Sequence, residues 1–276
     1  MSDGFDAWIG KTERLSDVVS QGAVDRFCAT LGAKASNKGV PPGFHWCTCL
    51  PNASLAQLGE DGHPAKGGFL PPIPAPRRMW AASAVEFLAP IAPTATIDRQ
   101  LTVACVKEKS GKSGSLYFVE VEQKTKADGI DAVRERQTIV YREPAAEPIL
   151  LPKAGSVDLS EWEFTETVTP NETMLLRYSA LTFNAHRIHY DLPYARDVEG
   201  YPALIVHAPL MATLLLQFVE RISDGRNIVA FSFRGQKPAF CNQEITLTAK
   251  PDGNGLSLAV INVAGETVMS ATAELG

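Results

Sequence analysis

The chemistry-bearing residues of this chain gather in one stretch of its second half, Thr182-Phe-Asn184-Ala-His186-Arg187-Ile-His189-Tyr190-Asp191, followed by Gly200-Tyr-Pro-Ala-Leu-Ile-Val-His207-Ala208-Pro209. An imidazole ionises near neutrality, so His189 can take a proton from water and hand it on, which neither a hydroxyl nor an amide does at that pH. Taken without its neighbours, a single histidine reads as a structural residue. His186, His189, Asp191 and His207 are also ligand types, but they lack the helical i, i+4 histidine pair of a zinc hydrolase, and no metal is expected there. The cluster His45-Trp46-Cys47-Thr48-Cys49 offers three more ligand types with no second cysteine pair to complete a tetrahedral set.

Some other residue types resolve into ordinary roles. Tyr190 and Tyr194 read as half-buried aromatics. Asp61-Gly62-His63-Pro64 reads as a turn, with closure over a substrate as its minor reading. The adjacent cations Arg77 and Arg78 read as an exposed strand-edge pair or as anion-binding groups.

The elements that must position these residues follow from periodicity and turn chemistry. Ser16-Asp17 before Val19, Ala23, Phe27 and Leu31 predicts a capped amphipathic helix that Gly32 ends. A long irregular region rich in proline and glycine runs from 36 to 78. Strands are predicted at 79–87, 97–107, 116–124 and 133–142, with turns at 111–114 and 128–129. After a Pro/Ala-rich linker, Thr169-Pro170-Asn171-Glu172 predicts a helix through Leu181, with Thr169 as its cap. A second helix starts at Pro209; Leu210, Met211, Leu214, Leu215, Phe218 and Ile222 make it apolar on more than one face, as in a helix wrapped by a sheet. Strands resume at 228–233, 244–249, 256–263 and 266–274. Pro90 and Pro238 each precede by seven residues an isoleucine, Ile97 and Ile245, that opens a strand-like run, a weak internal echo.

The totals set the outer bounds. With 276 residues and 45% hydrophobic content the chain can bury a real core. A net charge of -5, with no basic run longer than Arg77-Arg78, excludes a nucleic-acid backbone or an anionic membrane surface as partner. The first fifteen residues lack a secretory pattern, and the five dispersed cysteines suit a reducing compartment, so a cytoplasmic location is expected. The most apolar run, 203–219, contains His207 and Gln217 and soon reaches Glu220 and Arg221, too short and too polar to span a lipid bilayer.

The second half resembles the MaoC-like hydratases, whose motif has an acidic residue, a histidine five positions on and a small residue six positions later. Asn184, His189 and Ala195 fall on those positions. The whole chain from Trp8 onward looks like the FAS1-like dehydratase branch that hydrates mesaconyl-C4-CoA or itaconyl-CoA. The residues carrying this are Leu58-Gly-Glu-Asp-Gly-His63-Pro, Gly68-Phe-Leu-Pro-Pro, Pro76-Arg77-Arg78-Met79-Trp80, Val140-Tyr-Arg-Glu143 and Arg177 through Asp191.

The resemblance implies an α+β double hot-dog, two antiparallel sheets each wrapping helical or loop segments. Residues 1–145 would form a degenerate half with a long substrate-side loop, 146–160 a linker and 161–276 the catalytic half. It implies a hydro-lyase that adds water reversibly to an α,β-unsaturated acyl-CoA, with no cofactor beyond the CoA of the substrate. His189 would activate water, Asn184 would orient water or substrate, and the Ala208 N–H at the start of the second-half helix would hold the thioester oxyanion, because Pro209 has no N–H. Asn184 stands where many relatives carry aspartate, and an amide cannot exchange a proton. Ala208 stands where glycine is usual. Arg77, Arg78 and Arg187 are candidates for a distal substrate carboxylate, and Gly200 and His207 belong with the substrate-contacting set. Three alternatives stay open: a 3-hydroxyacyl-thioester dehydratase of fatty acid synthesis, a thioesterase, and a non-catalytic acyl-CoA-binding protein. A homodimer is compatible with each.

Overall fold

In the computed structural model, which describes residues 4–34, 39–111, 114–144 and 149–276, ten antiparallel strands form one continuous sheet. The first half contributes β1 (Thr12–Val18), α1 (Gln21–Leu31), β2 (Arg77–Phe87), β3 (Thr96–Gly111), β4 (Gly114–Ala127) and β5 (Ile130–Arg142). The second contributes β6 (Phe164–Val168), α2 (Glu172–Thr182), α3 (Ala208–Ile222), β7 (Ile228–Gly235), β8 (Ile245–Asp252), β9 (Gly255–Asn262) and β10 (Thr267–Leu275). The strand order is β1-β3-β4-β5-β2-β7-β10-β9-β8-β6. Outward from the central β2–β7 pair, both halves run in the same order of appearance along the chain. The echo at Ile97 and Ile245 lies at the starts of β3 and β8, which hold matching places in that order. Two sheets were expected; pairing from Ala82 with Arg234 to Glu86 with Ala230 fuses their edges into one. Parts of the expected turn at 111–114, of the loop from 36 and of the linker lie at 112–113, 35–38 and 145–148, outside the described residues.

α3 is the helix the sheet wraps. Its Ala, Leu and Met content favours helix, Pro209 sits in its first turn, and every residue from Pro209 to Val219 is buried. Each of those leucines contributes about 1.5–3 kcal/mol by leaving water. Two caps differ from expectation. Ser20, not Ser16, caps α1, its hydroxyl accepting from Ala23 N, because Ser16 and Asp17 lie in β1. Asn171, not Thr169, caps α2 through Met174 N. β1 and β6 are edge strands the periodicity did not show.

Among the described residues the first half has no counterpart of α3 between β1 and β2 beyond α1 and two short 3-10 turns. Its long loop instead lies over the sheet, burying Ile73 and Ala75 against Val103, Val119, Val121, Ile139 and Tyr141. The His45–Cys49 cluster is part of the core: Trp46 Nε1 donates to Glu135 Oε2 at 3.0 Å, and the Arg99 guanidinium donates to the carbonyls of His45 and Thr48. Among the described residues no helix is long and apolar enough to cross a membrane.

Candidate active site

α2 ends on Phe183, whose left-handed conformation (φ 47°, ψ 36°) is unusual for an aromatic residue and turns the chain sharply. The turn delivers Asn184, whose Oδ1 accepts from the His186 N–H at 2.9 Å, a side-chain turn that shapes the next residues. A 3-10 turn over Arg187–His189 follows, then a π-helical turn over Tyr194–Val198, with Asp191 Oδ1 accepting from Tyr194 N. Gly200 leaves that turn at φ +75°, and the strand-like 204–206 returns the chain past Ile188 to the start of α3.

The return brings His189 to His207. His189 Nδ1 donates to the Ile205 carbonyl at 2.7 Å, which leaves Nε2 as a free acceptor, the form a base requires. The His207 ring stacks on it, and His207 Nε2 bonds Ser179 Oγ at 2.8 Å. Burial lowers the affinity of both rings for a proton, His189 to about 3 and His207 well below its ordinary value. Ala208 begins α3 directly beyond, where first-turn N–H groups have no partner within the helix. Ala195 is fully buried beneath the segment.

A third part of the site comes from the first half. The loop closed by the Leu58–Pro64 bridge docks on the 184–187 segment: Arg187 N donates to the Asp61 carbonyl at 2.9 Å, and an Arg187 Nη to the Glu60 carbonyl at 3.2 Å. There the His63 ring lies 4.2 Å from that of His186, and His186 lies edge-on to His189 with centroids 5.4 Å apart. The four rings form a row across the two halves. The expected turn at Asp61–Pro64 is present, but its position against His186 depends on a contact no local pattern encodes. The one available signal was a histidine beside an acid in a long loop.

The arginines divide. Arg77 donates to the Val198 carbonyl at 2.6 Å and pairs with Glu199, and Arg187 pairs with Asp191 at 2.8 Å with its guanidinium over the Tyr194 ring, so both are spent on protein groups. Arg78 is buried beside Asp61 and Tyr141, donates to the Pro64 carbonyl, and has an Nε without a hydrogen-bond partner. Asp61, His63 and His186 bring ligand-type atoms within 4.8 Å of one another. His63 Nδ1 is already bonded to Asp61, and the Arg78 cation stands 3.7 Å from that same Oδ2, so the set suits proton exchange better than a metal ion.

The model of the family "Hydroxyacyl-thioester dehydratase type 2" matches residues 43–241, from the His45 cluster through α3 and β7. The mesaconyl-C(4)-CoA hydratase of Chloroflexus aurantiacus is 43% identical over 98% of this chain and 97% of its own. This chain belongs to the hydroxyacyl-thioester dehydratase type 2 family. Among solved structures, HtdX of Mycobacterium tuberculosis superposes with a TM-score of 0.71 at 18% identity, covering 96% of this chain and all of that one. A MaoC-like dehydratase gives 0.75 at 13% identity over 99% of both. The family resemblance read from the motif therefore holds, and with it the α+β hot-dog architecture and the hydro-lyase class.

Proposed function

We propose that the protein catalyses the reversible hydration of a short branched dicarboxylic enoyl-CoA, mesaconyl-C4-CoA or itaconyl-CoA, with residues 161–276 as the catalytic half and 1–145 as the half that closes over it. The observation that carries this reading is His189, whose Nδ1 is occupied by the Ile205 carbonyl and whose Nε2 is free, stacked on His207, the residue that precedes α3. The 43% identity to a mesaconyl-C(4)-CoA hydratase supports the substrate class.

The reaction needs a base at the β carbon, a proton for the α carbon and a home for enolate charge. His189 Nε2 takes the proton of the attacking water. The Ala208 N–H, at the positive end of α3, donates to the thioester oxygen as it gains charge. Asn184 orients water or substrate with its amide. Arg78, with its unspent Nε, is the residue for the distal carboxylate, and Gly200 and His207 shape the wall around the acyl group. The family name supports a second reading, dehydration of a 3-hydroxyacyl thioester, which uses the same groups in reverse.

Mixing the protein in turn with mesaconyl-C4-CoA, itaconyl-CoA and crotonyl-CoA, while following enoyl-thioester absorbance and free thiol, tests the proposal. Loss of the absorbance without thiol release, abolished in His189→Ala, supports hydration and ranks the substrates. Thiol release points to a thioesterase, and no change on any of the three removes the reading.

A further inference from the structure

Asn184 leaves the alkene chemistry one proton carrier short, and the first half brings a group of the right kind against His186, two residues further on. His63 Nδ1 lies 3.0 Å from Asp61 Oδ2, and the His63 backbone N–H donates to Asp61 Oδ1, also at 3.0 Å. Within the row of four rings His63 is the histidine backed by a carboxylate. It also keeps a quarter of its side chain exposed (25%), whereas His186, His189 and His207 are buried. With Nδ1 held by Asp61, its Nε2 is free to exchange a proton. The arrangement is anchored at several points: Gly59 N donates to the His63 carbonyl at 2.7 Å, Arg187 N to that of Asp61, and Gly62 touches the Ala185 backbone. Burial raises the Asp61 carboxyl, but the His63 bonds and the Arg78 cation outweigh it and hold that carboxyl below its ordinary range; burial and the Arg78 cation in turn outweigh Asp61 at His63 and lower its proton affinity, so the imidazolium is the form Asp61 must sustain.

We infer that His63, held by Asp61, is a second catalytic residue, exchanging at its Nε2 the α-carbon proton that an amide at position 184 cannot exchange. This rests on the hydratase reading above. In hydration the water oxygen bonds to the β carbon while one of its O–H bonds breaks, and that proton goes to His189 Nε2. The C=C pair moves onto the thioester as an enolate. The enolate then forms its C–H bond by taking the proton from Nε2 of protonated His63, whose charge the Asp61 carboxylate balances. The proton left on His189 passes through solvent to His63, and one water has been consumed. In dehydration neutral His63 removes the α proton and protonated His189 delivers one to the leaving hydroxyl. The active site is thus completed by a loop from the half that lacks its own copy of α3.

The test compares wild type, His63→Gln, Asp61→Asn and His189→Gln on mesaconyl-C4-CoA, adding exchange of the product's α hydrogen in D2O. His63→Gln is expected to lower kcat by about 10²–10⁴ with little change in KM, and to slow α-hydrogen exchange in parallel. Added imidazole should restore part of the activity of His63→Gly. Asp61→Asn, which keeps the shape but not the charge, should move the alkaline limb of the kcat/KM profile for hydration to lower pH, because the imidazolium loses its counter-charge. A kcat for His63→Gln close to wild type, beside an inactive His189→Gln, overturns the role of His63 and leaves the hydratase reading intact, as does a rise in KM alone. Absence of turnover by the wild type removes the hydratase reading and this inference with it. If His63→Gln does not fold, the Asp61→Asn profile decides: an unmoved alkaline limb overturns the assignment.

Discussion

The rings of His189 and His207 stack face to face, with centroids 3.6 Å apart and planes 18° from parallel. Each is tied at its edge to a different element, His189 through Nδ1 to the Ile205 carbonyl and His207 through Nε2 to Ser179 Oγ in α2. His207 is therefore the wall against which the His189 ring is oriented, and Ser179 fixes the wall. His207 Nδ1 is buried with no partner, so Ser179→Ala would leave both ring nitrogens unsatisfied. The expected cost is about 1–3 kcal/mol in urea unfolding. A fall in kcat should accompany it, since His189 loses its fixed backing. Unchanged stability would show that the ring finds another partner.

Acid should unfold this protein early. His45, His186, His189 and His207 are buried, and burial lowers the proton affinity of each. The unfolded chain takes up those protons near pH 6.5 while the native state refuses them, for His189 until about pH 3. Stability is thus fully present above 6.5 and is lost as pH falls below it, each such histidine contributing up to about 1.4 kcal/mol per pH unit. Melting temperature measured from pH 8 to pH 4 should be level at first and then drop steeply below 6.5. A level curve down to pH 5 would refute the assignment of these rings as neutral in the native state.

The course of the 184–209 segment was legible because its information is local. The five-residue step from Asn184 to His189 and the proline that opens α3 survive any change in what lies around them. α3 was also legible, since apolar residues on several faces have one structural meaning, burial on several faces. β1 and β6 were not, because edge strands such as Thr-Glu-Arg-Leu-Ser-Asp-Val are half exposed and owe their conformation to β3 and β8. The cap at Ser16-Asp17 misled for the same reason. Ser16 Oγ is bonded to Asp98 across the sheet, and Asp17 Oδ2 accepts from Cys49 N. The place of His63 was the least legible feature: the bond from Arg187 to Glu60 joins residues 127 apart in sequence.

The neighbouring arginines Arg77 and Arg78 should separate cleanly. Arg78→Ala is expected to raise KM for mesaconyl-C4-CoA far more than for crotonyl-CoA, which has no distal carboxylate to lose a partner. Arg77→Ala should affect both substrates alike, because its guanidinium holds Glu199 and the Val198 carbonyl at the end of the π-helical turn. Glu199 is nearly buried, and its carboxyl is raised by burial against the pull of Arg77. Removing its partner should cost about 3 kcal/mol. Equal KM effects of Arg78→Ala on the two substrates would remove that residue from carboxylate recognition.

Asn184→Asp tests whether the amide is a replacement or a loss. Either oxygen type can accept from the His186 N–H, so the turn and the fold should stand. If a second proton carrier already serves the site, the new carboxylate should change kcat by less than about tenfold. A gain of several hundredfold would mean that the missing acid at 184 is what limits the enzyme.

Gly62→Ala isolates the docking of the first-half loop. Gly62 has φ +87°, and a Cβ there would lie 1.9 Å from the Ala185 carbonyl oxygen and 2.9 Å from its carbon, both backbone atoms that cannot step aside. The loop must lift from the 184–187 segment, carrying His63 from His186 while the ten-stranded sheet stays intact. A shift of about 1 Å in a reacting group can cost a factor of 10² in rate, so kcat should fall by about that much. Gly129→Ala is the control, because φ is +82° there but nothing lies within 4 Å of its added carbon. That change carries only the conformational cost of about 1–2 kcal/mol and should leave kcat alone. Equal kcat for the two variants, with Gly62→Ala folded, would place the loop outside the catalytic machinery.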